Sequence, residues 1–353
     1  MKDKQKAIVI LTPGFPSSEA DQNCLPALQQ FVQLLQKTYP QVQVLVMAFQ
    51  YPFTKKSYQW HHCLVEAFNG QGKPRLHRLL VWWQVWQALQ KMQKQYELIG
   101  LLSFWLDETA WVGKKFGKRY GIPHYCWLQG QDAKKENRYV KRVQPSGSEL
   151  IAISDFIADT LYKNHGLRAA HTIPIGVQPL SDVMPGDLRD IDIIGAGSLI
   201  PLKQFEVLVH VVAQLARHYP QLKVLLCGAG PKEGNLKQLI AQLQLQHIIT
   251  LTGELPNRQL LQLMERSRLL LHPSNYEGFS GVCSEALNAG TPVLSFCQPM
   301  HQPIKNWHVV GNEAAMYHKA LQLLQDLGHH YEPVAPYTQM DAVEKIMGLF
   351  VTK

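Results

Sequence analysis

A chain of 353 residues exceeds one small domain and suits two of roughly 150 to 180 residues each. With 46% hydrophobic and only 18% charged residues, it is excluded from the disordered class. The net charge of +8 is uneven: residues 1–180 carry 22 Lys/Arg against 12 Asp/Glu, whereas residues 181–353 carry 13 against 15. A basic front half points to an anionic partner such as a membrane surface, a phosphorylated carrier or an acidic glycan. The sequence carries no known nucleic-acid recognition module, so nucleic acid is not an expected partner.

The start, Met1 to Lys6, is charged and runs straight into a short apolar stretch at 7–11, which is strand length rather than a secretory core. In the first half, strands are expected at 7–11, 42–48, 98–102, 125–128, 149–153 and 172–175, and helices at 20–37, 78–94, 108–120 and 155–164. In the second half, strands are expected at 191–195, 223–227, 248–252, 269–272 and 292–296, and helices at 204–218, 234–243, 258–266 and 282–289. Apolar strands alternating with helices define an α/β chain with parallel sheets covered on both faces. Two successive sets imply two doubly wound domains. A Pro- and Gly-containing stretch at 177–189 without apolar period reads as the linker. The domains are therefore expected at 1–176 and 190–335. Residues 336–353 follow, with Met340, Val343, Ile346, Met347 and Phe350 on one helical face.

No apolar run approaches the roughly 20 residues of a membrane span. The six cysteines form no C-x-x-C pair and read as reduced thiols of a cytoplasmic protein. His61-His62-Cys63 resembles a metal cluster, but adjacent residues on one segment rarely converge on one ion, and no metal site is expected. Asp190-Ile-Asp192 enters a strand and reads as structural. The dinucleotide fingerprint is also missing: Gly195-Ala-Gly197 has Ile200 where a third glycine belongs, and Gly228-Ala-Gly230 has Gly234 one residue too late.

The most informative stretch is 269–296, LLLHPSNYEGFSGVCSEALNAGTPVLSF. A strand ends near His272. A loop with Gly278 and Gly281 follows, then a short helix closed by Gly290, a natural stop. Residues 278–282 thus place flexible backbone and helix-initial N–H groups at a strand's carboxyl end, a geometry that binds phosphate. Glu277 and Glu285 bracket the loop with seven residues between them.

This stretch closely resembles the signature of glycosyltransferase family 4, whose members are retaining enzymes of GT-B architecture: two Rossmann-like domains facing across a cleft. The resemblance extends to IAISDFIADTL at 151–161, IPIGV at 173–177 and VLLCGAG at 224–230. It implies a metal-independent enzyme that moves a hexose-type sugar from a nucleotide-diphosphate sugar, UDP- or GDP-linked, to a glycan or lipid-linked acceptor with retention. No further cofactor is implied. The first domain would serve the acceptor and the second the donor, and the terminal helix would return to the first domain. Glu277 would lie by the donor sugar. Glu285 would take the ribose hydroxyls, since a carboxylate can accept two O–H bonds at once. Gly278, Phe279, Ser280, Gly281, Val282, Gly253 and Leu255 would complete the donor side.

In GAGSLIPLKQF at 195–205, Lys203 matches the family's diphosphate-binding lysine, while Ser198 occupies its arginine position. In YCWLQGQD at 125–132, Gln129 stands where the family often has His, followed by Gly130 and Asp132. The loop at 12–23 keeps only Gly14 of a glycine-rich acceptor loop. These departures leave open a catalytically silent protein that only binds sugar nucleotides, and the fold leaves open a nucleotide-sugar epimerase. The basic first half, with Trp82, Trp83 and Trp86 in a helical pattern, adds peripheral contact with anionic membrane as an expectation.

Overall fold

The structure is a computed structural model, described here for residues 4–21, 24–71, 74–180, 189–326, 328 and 330–351. The chain divides into two compact units, one of Met1–Ile175 with Gln339–Lys353 and the other of Gly176–Thr338. Of the expected linker at 177–189, residues 181–188 lie outside the described residues.

The first unit is built on strands β1 (Lys6–Gly14), β2 (Gln43–Tyr51), β3 (Lys56–Trp60), β4 (Cys63–Ala67), β5 (Glu97–Phe104), β6 (His124–Leu128), β7 (Leu150–Ala152) and β8 (His171–Thr172). They form one sheet in the order β3-β4-β2-β1-β5-β6-β7-β8, parallel except for the β3–β4 hairpin. Five consecutive apolar residues, Ala7 to Leu11, are fully buried in β1, because both faces of a parallel sheet are covered. Side chains alternate between faces. Ile8 and Ile10 therefore join a core with helix α1 (Pro26–Thr38), whereas Ala7, Val9 and Leu11 join one with helices α2 (Arg75–Gln95) and α3 (Glu108–Tyr120). Two further helices, α4 (Tyr139–Val143) and α5 (Asp155–His165), flank the later strands.

Two sequence expectations need correction here. Helix α1 starts at Pro26 rather than at residue 20, because Asp21 organises the preceding loop. Its carboxylate accepts from the N–H groups of Ser17 (3.0 Å) and Cys24 (3.3 Å) and from the Tyr51 hydroxyl (2.7 Å). Residues 22–23 of that expected helix lie outside the described residues. The β3–β4 hairpin is absent from the sequence expectation. His61 and His62 form its turn, with φ of 41° and 68°, the positive values that two-residue hairpin turns demand. The His-His pair is thus turn chemistry.

The second unit carries β9 (Ile191–Ala196), α6 (Phe205–Leu215), β10 (Val224–Cys227), α7 (Glu233–Gln242), β11 (Ile249–Gly253), α8 (Asn257–Glu265), β12 (Ser267–His272), α9 (Gly281–Asn288), β13 (Val293–Ser295), β14 (Trp307–Val309) and α10 (Glu313–Gln325). Its sheet is parallel, in the order β11-β10-β9-β12-β13-β14. Asp190 pairs with Lys223 and Arg266, and Asp192 with Arg268, so this D-x-D is a charge tie between strand ends. Arg189, at the end of the expected linker, is buried. Its guanidinium donates to the carbonyls of Met264, Ser267 and Ala289 and to the Thr291 hydroxyl, and lies over the Tyr331 ring.

The last helix, α11 (Gln339–Val351), belongs to the first unit. It packs Ala342, Val343, Ile346, Met347 and Phe350 into the core shared by β1 and α1. Gly100 on β5 makes this possible, since a Cβ there would fall 2.0 Å from the Phe350 ring. Gly100→Ala should therefore destabilise the chain by about 1–3 kcal/mol through overpacking. Adding Phe350→Leu should recover part of that loss. Unfolding midpoints of the single and double variants check this, and an unchanged midpoint in Gly100→Ala contradicts the packing argument.

Candidate active site

In the second sheet, chain order runs outward in both directions from the neighbours β9 and β12. Such a switch point opens a crevice beyond the carboxyl ends of the strands, where ligands of open α/β sheets bind. The loops after β9 and β12 bring the principal candidates together there.

After β9 the chain passes Gly197, at φ 139°, and abuts the loop after β10. A Cβ on Gly228 would fall 1.9 Å from the Gly197 carbonyl oxygen, so the approach requires glycine. The Leu199 N–H donates to the Ala229 carbonyl at 2.9 Å. A 3-10 turn, Pro201–Lys203, and a left-handed Gln204 at φ 50° then lead into α6. Lys203 thus lies in the turn before the helix, and its ammonium reaches Glu277 Oε1 at 2.5 Å.

The loop after β12 supplies the partner. His272, the last residue of that strand, is 1% exposed at its side chain, and its Nε2 lies 2.9 Å from the same Glu277 oxygen. A carboxylate only accepts, so Nε2 carries the proton and Nδ1 is bare. That Nδ1 is buried without a hydrogen-bond partner. Burial lowers the His272 pKa against the opposing pull of Glu277, which keeps the ring neutral. For Glu277, burial acts to raise the pKa. The His272 hydrogen bond and the Lys203 charge outweigh it and hold the carboxyl at about 2. The result is a carboxylate permanently ionised at neutral pH, 13% exposed, with its rotamer fixed from two sides.

The remaining donor-side candidates line the same loops. Ser280 is buried at φ 48° and donates to Cys283 Sγ at 3.1 Å. Gly281 opens α9 and is exposed, with open space around a Cβ built there, while Gly278 and Val282 are half-buried. Phe279 is buried edge-on against Trp307 and Tyr337, a packing position beneath the loop. Glu285 is half-buried and accepts from Asn257 Nδ2 at 2.9 Å; burial raises its pKa, and this hydrogen bond opposes it. Gly253 ends β11 at φ 73°, and its carbonyl accepts the Gly228 N–H at 2.8 Å. Leu255 follows, half-buried, and Ser198 is exposed.

Gly14, Gln129, Gly130 and Asp132 belong to the first unit. Gly14 closes β1 beside Tyr51, and the other three follow β6. Asp132 is buried. One oxygen accepts the Gln129 N–H at 2.7 Å and the other has no hydrogen-bond partner. Burial raises its pKa to about 6. His272 and Asn257 are the additions that sequence reasoning passed over. Position gave a signal for His272, a polar residue that ends the apolar run Leu269–Leu271 directly before the loop. No group of three or more His, Cys, Asp or Glu side chains among the described residues could hold a metal ion.

Two doubly wound units in one chain define the GT-B fold, and solved structures agree. The chain covers 98% of its length with a lipopolysaccharide outer core galactosyltransferase, WaaB, at TM-score 0.70 and 14% identity, spanning 99% of that chain. It does so again with the Anabaena protein HepE in complex with UDP and glucose, at TM-score 0.64 and 19% identity, spanning 96% of that chain. The family model for glycosyl transferases group 1 matches residues 185–323, all within the second unit. A curated relative, the MMP alpha-(1->4)-mannosyltransferase of Mycolicibacterium hassiacum, is 30% identical over 158 residues, which is 44% of this chain and 38% of that one. The 2-deoxystreptamine N-acetyl-D-glucosaminyltransferase of Niallia circulans is 28% identical over 155 residues, 44% of this chain and 37% of that one. The chain thus spans well under half the length of these two relatives.

Because the Glu277 pKa is depressed, its ionisation contributes stability that is complete above its ordinary value of 4.5 and is lost as pH falls towards 2. Glu277→Gln should lower stability by at most about 3 kcal/mol at neutral pH. The gap to the unmodified chain should stay constant above pH 5 or so and close below about 4. Denaturant titrations across that range provide the check. A gap that widens on acidification contradicts the assigned ion pair.

Proposed function

We propose that the chain is a retaining, metal-independent glycosyltransferase that moves a hexose-type sugar from a nucleotide-diphosphate sugar, UDP- or GDP-linked, to a glycan or lipid-linked acceptor. The observation that carries this reading is the Lys203–Glu277–His272 cluster at the β9/β12 switch point, inside the stretch that matches the group 1 family. The names of the relatives, a mannosyltransferase and an N-acetyl-D-glucosaminyltransferase, support a hexose donor. HepE in complex with UDP and glucose supports a UDP-linked one.

Cleavage between the anomeric carbon and the diphosphate builds negative charge on the leaving oxygens. Fixed positive groups can meet that charge. Lys203 has three donor hydrogens, of which Glu277 takes one, leaving others for phosphate oxygens. The free N–H groups at the start of α9 add a partial positive charge. Glu277 stabilises the cation-like sugar, and its low pKa keeps it anionic for that role. His272 positions it. Glu285, held by Asn257, receives the ribose hydroxyls. No covalent nucleophile is assigned, so the acceptor attacks from the face that the leaving group departs. Ser198, exposed where the family has arginine, favours a second reading, a silent protein that binds the donor without transferring it. Transfer or donor hydrolysis by the pure protein decides against that reading, and release of an epimerised sugar still attached to its nucleotide would mark an epimerase.

Two measurements follow from this assignment. Glu277→Ala should lower turnover by about 10²- to 10³-fold, since its partner gains charge in the transition state. Glu285→Ala should instead raise the donor Michaelis constant about tenfold with smaller loss of turnover, since its partners are ground-state hydroxyls. Steady-state kinetics of both variants test this, and a small effect from Glu277→Ala sinks the assignment. Separately, transfer should persist in excess EDTA. Complete loss, restored by magnesium or manganese, contradicts metal independence.

A further inference from the structure

Of the ten large hydrophobic side chains that stand most exposed among the described residues, four lie on the first turns of α2: Leu76 at 81%, Trp83 at 59%, Leu79 at 52% and Leu80. The neighbouring Trp82 is buried, and its indole N–H donates to the buried carboxylate of Glu108 at 2.6 Å. So α2 turns one aromatic inward to hold the helix and leaves an apolar ridge outward. Against this ridge lies a cavity of about 420 Å³, walled by Leu79, Trp82 and Tyr139 and rimmed by Arg78, Arg138 and Arg142.

The three arginines differ in their partners. Arg78 is shared with Glu108 at 3.3 Å and with the Tyr139 hydroxyl at 3.0 Å. Arg142 is exposed and lies over the Trp82 ring at 4.6 Å and the Trp111 ring at 5.0 Å. Among the described residues, no carboxylate lies within ion-pairing range of Arg142 or of the exposed Arg138. Stacking leaves the edge of the Arg142 guanidinium, which carries its N–H donors, available to a planar or tetrahedral anion. An apolar ridge beside cationic groups without acidic partners matches an interface whose depth is hydrocarbon and whose surface is anionic phosphate.

We propose that the ridge of α2 and the adjoining arginine-rimmed cavity are a docking surface for anionic phospholipid at a bilayer, with Leu76, Leu79, Leu80 and Trp83 entering the interface and Arg138 and Arg142 taking lipid phosphates. The surface would bring the first unit to a lipid-linked acceptor, and in that respect the inference rests on the transfer reading. Vesicle binding itself does not, so a chain that binds vesicles but transfers no sugar overturns the transfer reading alone.

The test is co-sedimentation of the full chain with phosphatidylcholine vesicles, with and without phosphatidylglycerol, at low and high salt. Binding should require phosphatidylglycerol and fade as salt rises. Leu79→Ser with Trp83→Ser should weaken it about tenfold or more, from the apolar area withdrawn. Arg138→Gln and Arg142→Gln should each weaken it about fivefold, the equivalent of ~1 kcal/mol per basic residue near such a surface. Leu243→Ser, at an exposed apolar side chain of the second unit, should change nothing. Thermal unfolding of each variant confirms that it is folded. Equal binding to neutral vesicles, an equal loss in Leu243→Ser, or retained binding in the α2 double variant overturns the proposal. So does inorganic phosphate that occupies the cavity while vesicles fail to compete, since the ligand would then be a free anion.

Discussion

One oxygen of Glu277 ties together the loops after β9 and β12. It accepts simultaneously from a lysine in the turn before α6 and from the histidine that ends the preceding strand. Taking these groups out of water is costly, and an isolated buried ion pair often fails to recover that cost. The arrangement works because the histidine is neutral and contributes a hydrogen bond without a second positive charge to desolvate. The remaining features at the switch point follow as geometric requirements. Gly197 and Gly228 let two loops touch so that the lysine can return over the sheet. Ser280 adopts a left-handed conformation so that α9 begins directly after the loop that carries the glutamate.

The fold is largely legible from the sequence because a parallel sheet writes itself as continuous apolar runs. The run at 7–11 and the helix at 108–120 need nothing beyond local pattern. What is illegible depends on contacts between distant residues. The β3–β4 hairpin reads as a polar, aromatic stretch; β4 is held by parallel pairing with β2, and β3 pairs only with β4 at the sheet edge. Local pattern misplaces the start of α1 because Asp21 binds Tyr51, a partner thirty residues away. Beyond residue 296, the Pro-rich stretch conceals β14, a three-residue strand at the sheet edge, and α10 behind it. At the site, residue types and spacing around the loop mark Glu277 and Glu285. For His272 the sequence offers only its position, after the apolar run Leu269–Leu271 and before the loop, which an ordinary core histidine would share. Only the distance to Glu277 distinguishes it.

The first unit shows the same economy with aromatic residues. Trp82, Trp83 and Trp86 look alike in sequence, yet they divide their work. Trp82 is buried with its indole on Glu108, Trp86 packs on Phe116 and Tyr120, and Trp83 faces out. A 21-residue helix turns all three through its period. Meanwhile α11 contributes five buried side chains to a core whose other members run from Ile8 to Ile173.

Arg189 has a consequence for how the second unit could be separated from the rest. Its guanidinium closes the carbonyls that end α8 and α9 and the Thr291 hydroxyl where β13 is about to begin. It does so from a position two residues before the unit's first strand. A boundary drawn at the strand itself would remove a buried cation and leave the Ala289 carbonyl without its donor, at a cost of about 1–3 kcal/mol, while the Met264 and Ser267 carbonyls would keep the Thr291 hydroxyl. An excised second unit must therefore begin upstream of Arg189. The segment that sequence reads as a connector ends in a structural keystone of the domain it introduces.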